Sequence, residues 1–177
     1  MRKTLMSLTA AFAAATFAGT AQAQMRSPLS VEVRASAAIP TGDFATGIGT
    51  GYGIGADAHF ALTPQLGIYA GYSYTGFDYD NVDDTLNETG IDAGVRAALG
   101  SGATFTPYVR GGLVYHKLEN DFGKSDSKAG FEVGAGLDYP LGLVLSVTPE
   151  VSYTRIVQDA APDLSHVRLG VGLRFKI

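Results

Sequence analysis

The end of this chain obeys a rule that leaves room for one kind of secondary structure. Val167, Leu169, Val171, Leu173, Phe175 and Ile177 fall on one side of an extended strand, and His166, Arg168, Gly170, Gly172, Arg174 and Lys176 on the other. Side chains alternate faces along a strand, so the segment presents one wholly apolar face and one wholly polar one. Wound as a helix, the same residues would mix the two sets around the circumference.

The same parity recurs seven times upstream, and no stretch after the first two dozen residues shows sustained helical periodicity. Val31, Val33, Ala35, Ala37 and Ile39 oppose Glu32, Arg34 and Ser36 in the first segment. Tyr52, Ile54, Ala56, Ala58 and Phe60 oppose Gly53, Gly55, Asp57 and His59 in the second. The third sets Leu66, Ile68, Ala70, Tyr72 and Tyr74 against Gly67, Gly71, Ser73 and Thr75, with Tyr69 as an exception on the polar side. The fourth sets Ile91, Ala93, Val95, Ala97 and Leu99 against Asp92, Gly94 and Arg96, and the fifth Phe105, Val109, Leu113 and Tyr115 against Thr106, Tyr108, Arg110, Gly112 and His116. Phe131, Val133, Ala135, Leu137 and Tyr139 oppose Glu132, Gly134, Gly136 and Asp138 in the sixth; Leu143, Leu145, Val147, Val151 and Tyr153 oppose Ser146, Thr148, Glu150, Ser152 and Thr154 in the seventh.

Connection lengths alternate. Short turns fall at Thr63-Pro64-Gln65, Gly100-Ser101-Gly102 and Pro140-Leu141-Gly142, all rich in turn formers. Longer connections run from Pro40 to Thr50, Gly76 to Glu88, Lys117 to Lys128 and Arg155 to Ser165. An even-numbered antiparallel meander with short turns at one end and long loops at the other is the layout of an eight-stranded, up-and-down transmembrane β-barrel with both termini in the periplasm.

Two observations indicate which face looks inward. Gly53, Gly55, Gly71, Gly94, Gly112, Gly134, Gly136, Gly170 and Gly172 share the charged face. Glycine weakens a solvated strand, but a narrow barrel lumen needs small residues beside its large ones. On the apolar face, Tyr52 and Phe60, Phe105 and Tyr115, and Phe131 and Tyr139 bracket their strands. At about 3.3 Å per residue and a tilt near 40°, these spacings cover roughly 20 to 25 Å, the height of a lipid-facing band between two aromatic girdles. The lumen then receives Glu32, Asp57, Asp92, Glu132, Asp138 and Glu150 with Arg34, Arg96, Arg110, Arg168 and Arg174. Charges confined there must pair, so an ion-pair network that plugs the barrel is expected and a wide pore is not.

The N-terminus adds an address. Arg2 and Lys3, an Ala-rich apolar stretch from Leu5 to Gly19, and Ala21-Gln22-Ala23 form the three parts of a cleavable signal peptide over residues 1–23, leaving 24–177 as a single barrel domain. Cysteine is absent, which excludes disulfides, thiolate metal sites and a lipid-anchor cysteine. The net charge of −4 is interleaved along the chain and gives no nucleic-acid footprint.

Little of the sequence reads as chemistry. His59 and Asp57 share the lumen face and could form an acid–base dyad, though a hydrogen-bonded structural pair is the simpler reading. His116 and His166 fall near loop ends, where solvated roles are expected. The acidic run Asp78-Tyr79-Asp80-Asn81-Val82-Asp83-Asp84 does not fit an EF-hand, because Asp83 stands where glycine is needed and Thr89 where glutamate is needed. It reads as a solvated loop, with a loose divalent-cation site bridging lipopolysaccharide phosphates as the alternative. No catalytic, cofactor-binding or metal-ligating residue is assigned.

Across the mature chain the sequence resembles the small outer-membrane β-barrel family of the OmpA transmembrane-domain and OmpX type. The likeness is carried by Ile39-Pro40-Thr41-Gly42-Asp43-Phe44, Leu62-Thr63-Pro64-Gln65-Leu66-Gly67, Thr106-Pro107-Tyr108-Val109-Arg110-Gly111-Gly112 and the C-terminal alternation. The resemblance implies an exported, monomeric protein of the Gram-negative-type outer membrane, in contact with lipopolysaccharide or an equivalent lipid. It also implies that the barrel-assembly machinery reads the last strand. That strand ends on Ile177, with Phe175 two residues earlier, where the family places a terminal aromatic. A second departure is Pro149, which predicts a bulge or weak pairing, since a closed barrel has no edge. The lipid A deacylases of this shape carry a His-x-Ser pair that this chain lacks. The expected role is structural or surface-interacting and non-enzymatic, with four extracellular loops. A narrow passive porin-like channel is the alternative, and a lipid A-modifying enzyme or a soluble periplasmic barrel stands behind it.

Overall fold

The computed structural model describes residues 28–79, 85–100, 104–120, 123–124, 127–157 and 163–177. The signal peptide with its cleavage site and Asp80–Asp84 of the acidic loop lie outside them. Eight long strands follow the eight alternating segments: β1 Leu29–Pro40, β2 Gly51–Ala61, β3 Leu66–Asp78, β4 Thr85–Ala98, β5 Thr106–Asn120, β6 Lys128–Pro140, β7 Leu145–Ile156 and β8 Leu164–Lys176. Each pairs antiparallel with its sequence neighbour, and β1 pairs with β8, so the sheet closes with no free edge. A two-residue strand, Gly123–Lys124, pairs with the tip of β5.

The ladder sets the tilt. Stepping from partner to partner, Ser30 leads through His59, Tyr69, Gly94, Gly112, Glu132, Thr154 and His166 back to Pro40, ten residues along the strand where the circuit began. A shear of ten over eight strands corresponds to a tilt of about 40°.

The faces fall as the parity requires. Val33, Ile54, Tyr72, Ile91, Leu113, Val133, Val151 and Leu169 are exposed on the outer wall, whereas Glu32, Arg34, Asp57, Arg110, Glu132 and Arg168 are buried inside it. This inversion of a soluble protein identifies the solvent of the outer face as hydrocarbon. Inside, glycine makes room for charge: a Cβ on Gly71 would fall on the Asp57 carboxylate, and one on Gly172 would lie 2.6 Å from Glu32 Oε1.

Three boundaries depart from the sequence reading. β3 runs to Asp78, β4 begins at Thr85 and β5 reaches Asn120, so the strands extend into spans read as loops. Leu143 is not on the seventh strand; it lies in the turn closed by Leu141 N–H donating to the Leu145 carbonyl, at 2.9 Å. At Pro149 there is no bulge, but pairing with β6 lapses. The register passes from Gly136–Glu150 to Tyr139–Val147 with Leu137 and Asp138 unpaired on the β7 side, though both keep partners on β5, while Pro149 keeps Val171 as its partner on β8.

Candidate functional site: the charged lumen and its apolar cover

The interior is a column of layers. Midway, Arg34 on β1 reaches across the barrel, donating to Asp57 Oδ2 on β2 at 2.8 Å and to Glu150 Oε1 on β7 at 3.2 Å. Arg110 on β5 meets the same Asp57 at 3.4 Å, Glu132 on β6 at 2.7 Å and Glu150 at 3.6 Å. Tyr69, the apparent exception of the third segment, is in phase with the lumen face and lies under Arg110, whose guanidinium carbon sits 4.0 Å from the ring centroid. Desolvated charges of this kind persist because several partners and a π-face share each guanidinium.

Toward the end with the short turns, Arg96 stacks 3.5 Å over the Tyr108 ring, and Tyr108 donates to Glu150 at 2.8 Å. Arg174 pairs with Asp138. His59 and Asp57 do not form a dyad: His59 Nε2 lies 3.6 Å from Glu32, and Asp57 is taken by Arg34 and Arg110. Donor atoms of Glu32, Asp57 and His59 lie within 4.8 Å of one another, a spacing that a metal could bridge. Arg34, Arg96 and Arg110 crowd the same carboxylates, so the positive charge of the site is already in place.

Toward the end with the long connections the structure corrects the reading of two histidines. His116 and His166 are not solvated; both are fully buried on the lumen face. His116 Nδ1 lies 2.6 Å from Glu88 Oε1 and Nε2 lies 2.7 Å from Asp92 Oδ1. The imidazole is held at both ring nitrogens, between two carboxylates from the neighbouring strand. Arg168 donates to His166 Nε2 at 3.2 Å, leaving Nδ1 facing Glu88 at 3.8 Å.

Above this layer the lumen turns apolar. Ala38, Phe77, Leu86, Val114, Ile156 and Leu164 are buried in lumen phase, and Phe44, from a 3₁₀ turn over Gly42–Ala45 in the first long connection, packs among them. Its ring meets Phe77 edge-on at 5.3 Å, and Phe77 meets His166 at 5.5 Å. Sequence reading missed this cover. Its signal was present as apolar residues at 77, 86, 114, 156 and 164 in the polar phase.

A closed, tilted barrel with an apolar exterior and an ion-paired interior defines an integral outer-membrane β-barrel protein. The chain belongs to the outer membrane protein beta-barrel domain family, which matches residues 5–175, and its place is the bacterial outer membrane, in contact with lipid. Curated protein sequences contain no match. Among solved structures, the chain is similar to Neisserial surface protein A, at 18 % identity and a TM-score of 0.73 over 85 % of this chain and 98 % of that one. It is also similar to Ail, the attachment invasion locus protein of Yersinia pestis, at 16 % identity and 0.56 over 85 % and 100 %. The N-terminal β-barrel domain of Pseudomonas aeruginosa OprF aligns at 23 % identity and 0.53 over 82 % and 97 %. These likenesses establish the fold.

Proposed function

We propose that this protein is a non-conducting, non-enzymatic outer-membrane barrel with a structural or surface-interaction role, its lumen plugged by ion pairs and its four outer loops carrying any specificity. One observation carries the reading: Arg34 and Arg110 cross the interior to Asp57, Glu132 and Glu150, all buried, at the height where a pore would need its water. Lipopolysaccharide or an equivalent lipid contacts the apolar wall, and the barrel-assembly machinery reads the last strand through Phe175 and Ile177. Purified protein in planar bilayers tests the plug. No reproducible conductance steps are expected; stable steps would replace this reading with that of a narrow channel.

A further inference from the structure

The connection between β1 and β2 crosses the outer mouth as a strap tied at both ends. At its start Thr41 N–H donates to the Ser165 carbonyl on β8 at 2.8 Å, and the Thr41 and Ser165 hydroxyls bond at 3.0 Å. At its end Gly49 N–H donates to the Asp78 carbonyl at 2.8 Å, and Ile48 forms a lone bridge with Tyr79 beyond β3. Between these ties the only regular element is the turn carrying Phe44. Gly42, its first residue, and Gly47, two residues past its end, have φ of 64° and 76°, a left-handed conformation that other residues adopt at a cost.

The strap covers a layer with reasons to be wet. Glu88 Oε2, Asp92 Oδ2, Thr154 Oγ1 and His166 Nδ1 are buried with no hydrogen-bond partner in the protein, a polar demand that water would meet. Burial of Phe44 against Phe77, Leu86, Ile156 and Leu164 opposes them, and this apolar layer stands between the outside and the polar column. Opposed contributions of this kind make an element with two states, shut and hydrated.

We propose that the 41–50 strap is an external lid on the lumen: seated by Phe44 it keeps the His116–Glu88–Asp92–His166 layer dry, and lifted it opens that layer to the outer medium. This goes beyond the proposed plug, because a lid over a still-paired lumen admits water and small solutes to the outer layer without giving conduction.

The absence of native cysteine makes the test direct. Two single-cysteine reporters, Thr154→Cys beneath the lid and Ser146→Cys at the periplasmic end, are reacted with a small water-soluble methanethiosulfonate in detergent micelles, with and without Phe44→Ser. The expected result is at least a tenfold faster reaction at position 154 on Phe44→Ser, with position 146 changed less than twofold. Equal acceleration at both positions, which means general loosening, or no acceleration at 154, overturns the lid. Heat-modifiable gel mobility confirms that each variant is folded. If Phe44→Ser does not fold, Phe44→Ala is expected to give the same asymmetry, and its absence counts equally against the proposal. Conductance of the wild type bears only on the plug.

Discussion

Arg110 shows how much of this interior rests on single side chains. It is buried and serves Asp57, Glu132, Glu150 and the face of Tyr69 together. Removing it leaves three buried carboxylates to share Arg34 and Arg168 in a space that water reaches poorly, where breaking a buried pair costs far more than the pair adds over an apolar replacement. Arg110→Ala is therefore expected to lower the unfolding free energy by about 3–5 kcal/mol, read from urea titrations in lipid vesicles. A loss below about 1 kcal/mol, the range of exposed pairs, would show that the network is hydrated and weakly coupled. The solvated pair Arg155–Asp163, bonded at 2.6 Å and 2.9 Å at the outer rim, is the natural comparison.

At the scale of the strand, β7 holds a weak seam in the wall. Proline has no N–H to give its neighbour, and the β6–β7 ladder lapses beside Pro149 while the register continues unbroken on both sides. The sequence reading expected a bulge or weak pairing, and the molecule adopts the second, because a bulge would flip every later side chain of β7 to the wrong face. Pro149→Val keeps an apolar residue on the lipid side and restores a donor opposite Leu137. It is expected to stabilise the barrel by about 1 kcal/mol in the same urea titration, with a new slowly exchanging amide at residue 149. A destabilised variant would mean that the strand needs the proline's fixed φ at this point.

For the whole molecule, orientation is the quantity that everything else inherits. An outer wall of Ile, Leu, Val and aromatic side chains is stable only against hydrocarbon, and the cost of a charge on it must depend on depth. Val171, midway along β8, and Leu141, in the short turn before β7, are both exposed. Val171→Arg is expected to cost about 2–4 kcal/mol and Leu141→Arg less than about 1 kcal/mol. Equal, small costs at the two positions would contradict a membrane-embedded wall. The folded wild type should resist SDS until boiled, which shifts its gel mobility.

The sequence by itself determined the strand count, the faces and the membrane-compatible exterior, because a period of two survives in any extended strand whatever its neighbours do. Gly71 and Gly172 were legible as lumen residues on that ground alone. Which charges meet was not legible: Arg34 and Glu150 are 116 residues apart, and only closure with a shear of ten brings them together. The burial of His116 and His166 and the apolar cover above them were hidden for a related reason. Phe77, Leu86, Val114, Ile156 and Leu164 look like frayed strand ends until the barrel closes and Phe44 folds back over them, so their environment belongs to the tertiary structure and not to any one segment.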